Sequence, residues 1–116
     1  MDFHGEKPIY LQIADVFCEG ILSGSLKADA RIPSVREYGA DIGVNPNTVM
    51  RVYEKLTAEG IIYNKRGIGY FVSPDAREKI LDTQRAEFLE KDVPAISRKL
   101  ELLGLDASIF NVKKQS

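Results

Sequence analysis

Two helix-start signals stand eleven residues apart in this chain, at Ser34 and at Asn45. Ser34-Val35-Arg36-Glu37 has the form of a capping box, in which serine takes the N3 amide and glutamate takes the serine amide. Asn45-Pro46 pairs a good N-cap with a residue whose fixed φ suits the first helical position. Between them "DIGVN" makes a short turn at Gly43. Such spacing admits a helix of about two turns, a tight turn and a second helix. The apolar spacing agrees: Val35, Tyr38, Gly39 and Ile42 share one face, and Val49, Val52, Tyr53 and Leu56 share another. The second helix is expected from Asn45 to Glu59, with Gly60 as its stop.

The flanks complete a pattern. A helix is expected over Pro8 to Ser23, with Gly24 at its C-terminal end. Ile9, Ile13, Val16, Phe17 and Ile21 form one apolar face, while Leu11, Ala14, Cys18 and Leu22 form a second. A helix apolar on two sides must be covered on two sides. A small domain is expected to cover one and leave the other to an added element or a second subunit. After Gly60, the strand-like runs Ile61-Ile62-Tyr63 and Tyr70-Phe71-Val72 are joined by a glycine-bearing loop from Asn64 to Gly69. Arg31-Ile32 is long enough for a third, edge strand. The order helix, strand, helix, turn, helix, hairpin predicts a winged helix-turn-helix over residues 1–73.

Residues 74–116 read as a short helical region, making the whole mainly α with a small β-hairpin wing. Ser73-Pro74 starts a helix, serine as cap and proline at N1, with a thin stripe of Ile80, Leu81 and Phe88. Asp92 is expected to cap another, which tolerates Pro94 in its first turn and ends at Gly104. Its stripe is Ile96, Leu100 and Leu103. "DASIFNVKKQS" has room for one more helical turn before a frayed tail.

Composition narrows the classes of function. The 116 residues are 44 % hydrophobic and 28 % charged, as in an ordinary globular protein. No apolar run approaches the ~20 residues that span a membrane. The N-terminus "MDFHGEKPIY" carries no apolar signal core, and Cys18, the only cysteine, has no internal disulfide partner, so a cytoplasmic setting is expected. The single histidine, His4, has no second ligand at metal spacing and is read as surface. No cofactor and no catalytic set is expected: there is no Ser/His/Asp or Cys/His combination, and Gly67-Ile68-Gly69 is not a P-loop. Net charge is −1, which leans away from a nucleic-acid partner. From Arg31 to Ser73, however, six bases face four acids, leaving a local positive excess.

Three features on one scaffold point to nucleic acid. The start Asn45-Pro46-Asn47-Thr48 leaves first-turn amides beside small polar side chains, an arrangement that suits a phosphate. Asn47, Met50, Arg51 and Glu54 lie opposite the core stripe, flanked by Thr48 and Lys55. Asn and Arg read base edges, Thr and Lys hold phosphates, and Met50 suits a thymine methyl. The same residues also make an ordinary solvated helix face. Arg36 lies in the first turn of its helix, where a cation opposes the macrodipole by roughly 0.3–1 kcal/mol, a conflict that an external phosphate resolves. Lys65-Arg66-Gly67 sits at the hairpin tip, where glycine allows close approach and an arginine can enter a narrow minor groove. Taken singly, Arg36 also reads as an exposed arginine without a partner and the tip as a plain hairpin with solvating charges; it is the three together that point to nucleic acid.

"RIPSVREYGADIGVNPNTVMRVYEKLTAEGIIYNKRGIGYFV", preceded by "KPIYLQIADVFCEGILSGSL" and followed by a short helical tail, resembles the GntR family of bacterial transcription regulators, and its YtrA subfamily in particular. The resemblance covers nearly the whole chain. It implies an N-terminal winged helix that binds double-stranded operator DNA as a homodimer, and a short C-terminal helical segment that dimerises. It implies DNA contacts at Arg36 of the Pro-Ser-x-Arg motif, at Asn45, Asn47, Thr48 and Arg51, and at Arg66 and Gly67 of the wing tip. Pro46, Ser34 and Lys65 belong to the same segments. Met50 stands where many relatives carry a basic or polar residue. "LKADAR" lacks the Pro-Gly-Asp turn common in relatives, though Arg31 remains within reach of a phosphate. The expected function is a repressor; the alternative is a winged helix serving as a protein-interaction module. Leu11, Cys18 and Leu22 are expected to be covered by the C-terminal helices of the same or a partner subunit, together with Ile96, Leu100 and Leu103. Asp75 to Ser116 is too short to enclose by itself a pocket of about 300–1,000 Å³. A small-molecule effector, of unknown identity, would therefore sit between subunits or between the two regions.

Overall fold

The computed structural model describes residues 7–111. His4 and the expected tail beyond Asn111 lie outside the described residues. Helix α1 (Ile9–Ser23) follows Pro8 and ends at Gly24, whose φ of 89° is left-handed. Then come strand β1 (Arg31–Ile32), helix α2 (Val35–Ile42), helix α3 (Pro46–Ala58) and strands β2 (Ile62–Lys65) and β3 (Gly69–Val72). The three strands form one antiparallel sheet in the order β1-β3-β2. Arg31 faces Phe71 and Ile32 faces Tyr70, so the two-residue strand is a true edge strand. The hairpin pairs through to Lys65 and Gly69. The expected six-residue loop is thus only Arg66-Gly67-Ile68, because Asn64 and Lys65 join the ladder. This is a winged helix-turn-helix, built as the capping and spacing signals predict.

The core joins every element of that motif. Ile13, Phe17 and Ile21 of α1 meet Val49, Val52, Tyr53 and Leu56 of α3, with Ile32, Ile61, Ile62 and Val72 from the sheet and its approach. Aromatic contacts run through it. Phe17 packs on Tyr38 of α2 with centroids 4.9 Å apart, and Tyr53 meets Tyr70 of β3 edge-on at 4.9 Å. The Tyr53 hydroxyl donates to the Pro33 carbonyl at 2.6 Å. That bond ties the middle of α3 to the residue just before the α2 cap. Gly39 sits where α2 passes the turn: a Cβ there would lie 2.7 Å from the Val44 carbonyl oxygen.

Beyond the shortened hairpin loop, the fold departs from the sequence expectations at four further places. First, the second face of α1 is partly covered within the small domain, Leu11, Cys18 and Leu22 staying half-buried. Ala14 is buried and Cys18 and Leu22 pack against the core. Leu26 folds back against Gly20 and the core, its amide donating to the Gly20 carbonyl at 2.9 Å. Second, Ser73 does not cap a helix. It is buried, its N–H donates to the Ile61 carbonyl at 2.9 Å, and Pro74-Asp75 turn before α4 (Ala76–Glu87) begins. Third, the compact unit holding the winged helix ends at Leu81, past the expected boundary at Ser73, because Ala76 and Ile80 belong to its core.

Fourth, Asp92 caps nothing. Its φ and ψ of −74° and −44° are helical and its side chain makes no cap hydrogen bond. A π-helical turn (Phe88–Asp92) runs directly into α5 (Val93–Leu103), with the Val93 N–H reaching back five residues to the Phe88 carbonyl. Pro94 explains this. Its ring has no N–H to donate and crowds the preceding turn, and a widened turn absorbs both without ending the helix. Gly104 does terminate α5, in a left-handed conformation with φ of 66°. The expected further turn is a 3₁₀ helix over Ala107–Phe110, capped by Asp106.

Candidate nucleic-acid interface

The start of α2 is closed by its capping box. Glu37 N–H donates to Ser34 Oγ at 3.1 Å, and Ser34 N–H to Glu37 Oε1 at 3.3 Å. Among the described residues the Val35 and Arg36 amides have no protein partner, and the Arg36 side chain is exposed. Two free amides, the positive end of a helix and a guanidinium therefore share one turn with the cap's Glu37. An anion is the natural complement.

The start of α3 differs from expectation. Pro46 has no N–H, Asn47 N–H is taken at 2.8 Å by the Asn45 side-chain oxygen, and Thr48 N–H donates to the Asn45 carbonyl at 2.9 Å. The first turn therefore offers no free amide to a phosphate. What α3 presents is side chains: Asn45, Pro46, Asn47, Met50 and Arg51 are exposed and Thr48 is half-buried. The asparagine cap that makes a proline start possible is the same group that consumes the amide.

Two basic residues of α3 are held by the fold. The Arg51 guanidinium lies over the Tyr10 ring of α1, its central carbon 3.9 Å from the ring centroid. Lys55, half-buried, donates to Glu59 one turn later at 2.5 Å, and that hydrogen bond raises its pKa. Lys55 thus reaches along its own helix and is not gathered with Asn47 and Arg51.

The wing gathers the others. Arg66, Gly67 and Ile68 form the exposed tip, with Gly67 at φ 79° and the Ile68 N–H bonded to the Lys65 carbonyl at 2.9 Å. Lys65 rides over the Phe71 ring, 5.2 Å from its centroid. Arg31 crosses β3 at Gly69, where a Cβ would stand 3.1 Å from Arg31 Nε. Gly69, with φ of 143°, thus makes room for Arg31 to lie across the sheet.

Of the residues expected at a subunit contact, Leu11, Cys18 and Leu22 are half-buried on α1. Burial above all, then Asp15 and Glu59, pushes the Cys18 thiol up to about 11. On α5, Ile96 and Leu103 are exposed and Leu100 is half-buried. Among the described residues no group of three His, Cys, Asp or Glu side chains could hold a metal ion, and no helix is long and apolar enough to cross a membrane.

Sequence reasoning missed Tyr10 and the Tyr53 hydroxyl. Tyr10 had a signal: Ile13, Ala14 and Phe17, three, four and seven residues later, form the stripe buried against the core. The Tyr53–Pro33 bond had none, because it joins positions distant in sequence. Ile68, an apolar side chain 57 % exposed at the wing tip, was also passed over.

Comparison with known proteins agrees with this geometry. The family described as bacterial regulatory proteins, gntR family, matches residues 9–72. The HTH-type transcriptional repressor YtrA of Bacillus subtilis is 34 % identical over 97 % of this chain and 81 % of its own. A crystal structure of a GntR-family regulator from Bacteroides thetaiotaomicron superposes with a TM-score of 0.73 at 46 % identity, covering 89 % of each chain. The AraR(DBD) in complex with operator ORX1 superposes with a TM-score of 0.57 at 28 % identity, covering 61 % of this chain and 92 % of that one. A family match over more than half of the chain, and a YtrA relative matched along nearly all of it, agree with the capped helix pair and wing: the chain belongs to the GntR family of DNA-binding transcription regulators, which are not enzymes, and within it to the YtrA subfamily.

Proposed function

We propose that this chain represses transcription by binding an inverted-repeat operator as a homodimer, with residues 1–73 on the DNA and residues 74–116, whose first turns pack on the winged helix through Ala76 and Ile80, joining the subunits and forming any effector site. The observation that carries the reading is the exposed turn of α2, where Arg36 and two free amides await an anion, on the same winged helix as the side chains of α3 and the hairpin tip. The name of the YtrA relative supports repression, and the operator complex of AraR(DBD) supports duplex DNA as the partner.

In this reading Arg36 and Ser34 hold a phosphate at the start of α2. Helix α3 enters the major groove by its N-terminal end. Asn47 and Arg51 meet base edges, Met50 a thymine methyl, and Thr48 a phosphate, with Asn45 and Pro46 fixing the first turn. Arg31 and Lys65 add phosphate contacts, Lys55 does so only on leaving Glu59, and Arg66 with Gly67 follows the minor groove. The second region displays Phe88, Leu89, Ile96, Leu103 and Phe110 to solvent in the single chain. So much exposed apolar surface marks an association site, and a two-fold contact between identical copies is the commonest closed solution. Ile96, Leu100 and Leu103 supply one side of that contact and Leu11, Cys18 and Leu22 further apolar surface. Half-sites then lie about one helical turn or a multiple apart.

Selection of bound duplexes from a random pool, followed by a bandshift with salt titration, tests the proposal. The expected result is a two-fold symmetric consensus and an affinity that falls steeply with salt. Failure to enrich any sequence would overturn it in favour of a winged helix that docks another protein.

A further inference from the structure

Arg51 carries its charge on a side chain whose direction the fold has already chosen. Its guanidinium lies over the Tyr10 ring, 3.9 Å from central carbon to ring centroid, while Arg51 itself stays exposed. A guanidinium held over a ring by cation–π attraction spends no hydrogen bond on it, and among the described residues none of the five Arg51 N–H donors has a protein acceptor. The contact therefore takes no hydrogen-bonding capacity from Arg51. It removes rotamer freedom, which a long side chain would otherwise lose on meeting a base.

The platform is anchored. Tyr10 is half-buried and packs against the core one turn before Ile13 and Ala14, which are buried. The neighbouring cation does not compete for the ring, because Lys55, one turn beyond Arg51, is tied to Glu59.

We infer that Tyr10 is a positioning residue for sequence reading: it holds the Arg51 guanidinium with its donor edge free, and so favours the cognate operator over other DNA. This rests on the base-edge role of Arg51 proposed above. Tyr10 need not touch DNA; it acts through Arg51.

The test uses the full chain and the duplex that the wild type selects from a random pool. Tyr10→Leu should raise Kd for that duplex about two- to ten-fold, the cost of ordering one long side chain that the ring no longer holds, and change Kd for a random duplex by less than about two-fold. Tyr10→Phe keeps the ring and should bind as the wild type does. In an Arg51→Ala background, Tyr10→Leu should add nothing, since there is no guanidinium left to hold. A general loosening of α1 would instead weaken both backgrounds alike, and that result, or equal losses on selected and random DNA, overturns the inference. If Tyr10→Leu alone is silent while Arg51→Ala weakens the selected duplex, the inference falls and the role of Arg51 stands. If Arg51→Ala is also silent, the role of Arg51 falls and takes the inference with it.

Discussion

Replacing Tyr53 with phenylalanine isolates one hydrogen bond that sets the geometry of the interface. Tyr53 is wholly buried, and its ring contacts with Phe17 and Tyr70 survive the substitution. Only the hydroxyl is lost, and with it the 2.6 Å bond to the Pro33 carbonyl. A neutral hydrogen bond contributes about 0.5–1.5 kcal/mol net, and more is lost when a buried acceptor is stranded. Pro33 is exposed, so water can replace the hydroxyl at its carbonyl. The expected loss is therefore about 1 kcal/mol at neutral pH, against the roughly 3–5 kcal/mol of removing a whole buried aromatic side chain. With a urea m-value of about 1–3 kcal/mol/M, the midpoint should fall by roughly 0.3–1 M. The chain has no tryptophan, so circular dichroism of the helices is the signal of choice. The pH dependence gives a second reading. Burial, then the neighbouring Tyr38 and Tyr70, push the Tyr53 phenol well above its ordinary value. The unfolded chain gives up this proton from about pH 10, while the folded chain keeps it. Stability is thus full below that pH and falls above it, by up to about 1.4 kcal/mol per pH unit for each such group. Tyr53→Phe should make the alkaline decline shallower by one proton. An unchanged urea midpoint together with a parallel alkaline curve would refute both the bond and the burial.

The other predictions test the remaining parts of the structure. Cys18→Ala should remove a separate loss of stability. The folded thiol is raised from 9.0 to about 11, so the wild type is at full stability below that window and weakens through it, and urea midpoints on either side of it measure the difference. Arg36→Ala should weaken binding to selected and random duplexes alike and lower the log–log salt slope by about one, while leaving the urea midpoint no lower, because the cation opposes its own helix dipole. A changed sequence preference in that variant would make Arg36 a base reader. Leu103→Asp, at a side chain 62 % exposed in the single chain, should sediment as a monomer with unchanged helicity where the wild type sediments as the proposed dimer; a variant that stays dimeric would remove α5 from the proposed contact.

Much of the architecture was written in local chemistry. Ser34 with Glu37, Asn45 with Pro46, and the glycines at 24, 43 and 104 specify where helices begin and end, because a cap or a left-handed residue acts within one turn of itself. The core stripe of α3 was equally legible, since helical spacing alone brings Val49, Val52, Tyr53 and Leu56 to one side. The misreadings share a cause. Ser73-Pro74 and Asp92-Val93-Pro94 carry helix-start residues, yet neither starts a helix. At Ser73 the sheet claims the backbone through Ile61, and at Asp92 a π turn lets the chain carry Pro94 onward. Side-chain partners were decided later still. The sequence by itself determined that Arg51 would stand on the outer side of α3, because that follows from the 3.6-residue period. That Arg51 would rest on Tyr10, that Lys55 would turn to Glu59, and that Tyr53 would hold Pro33 were decided by tertiary structure, because each choice between solvent and a partner depends on which helix and turn the packed core brings within reach.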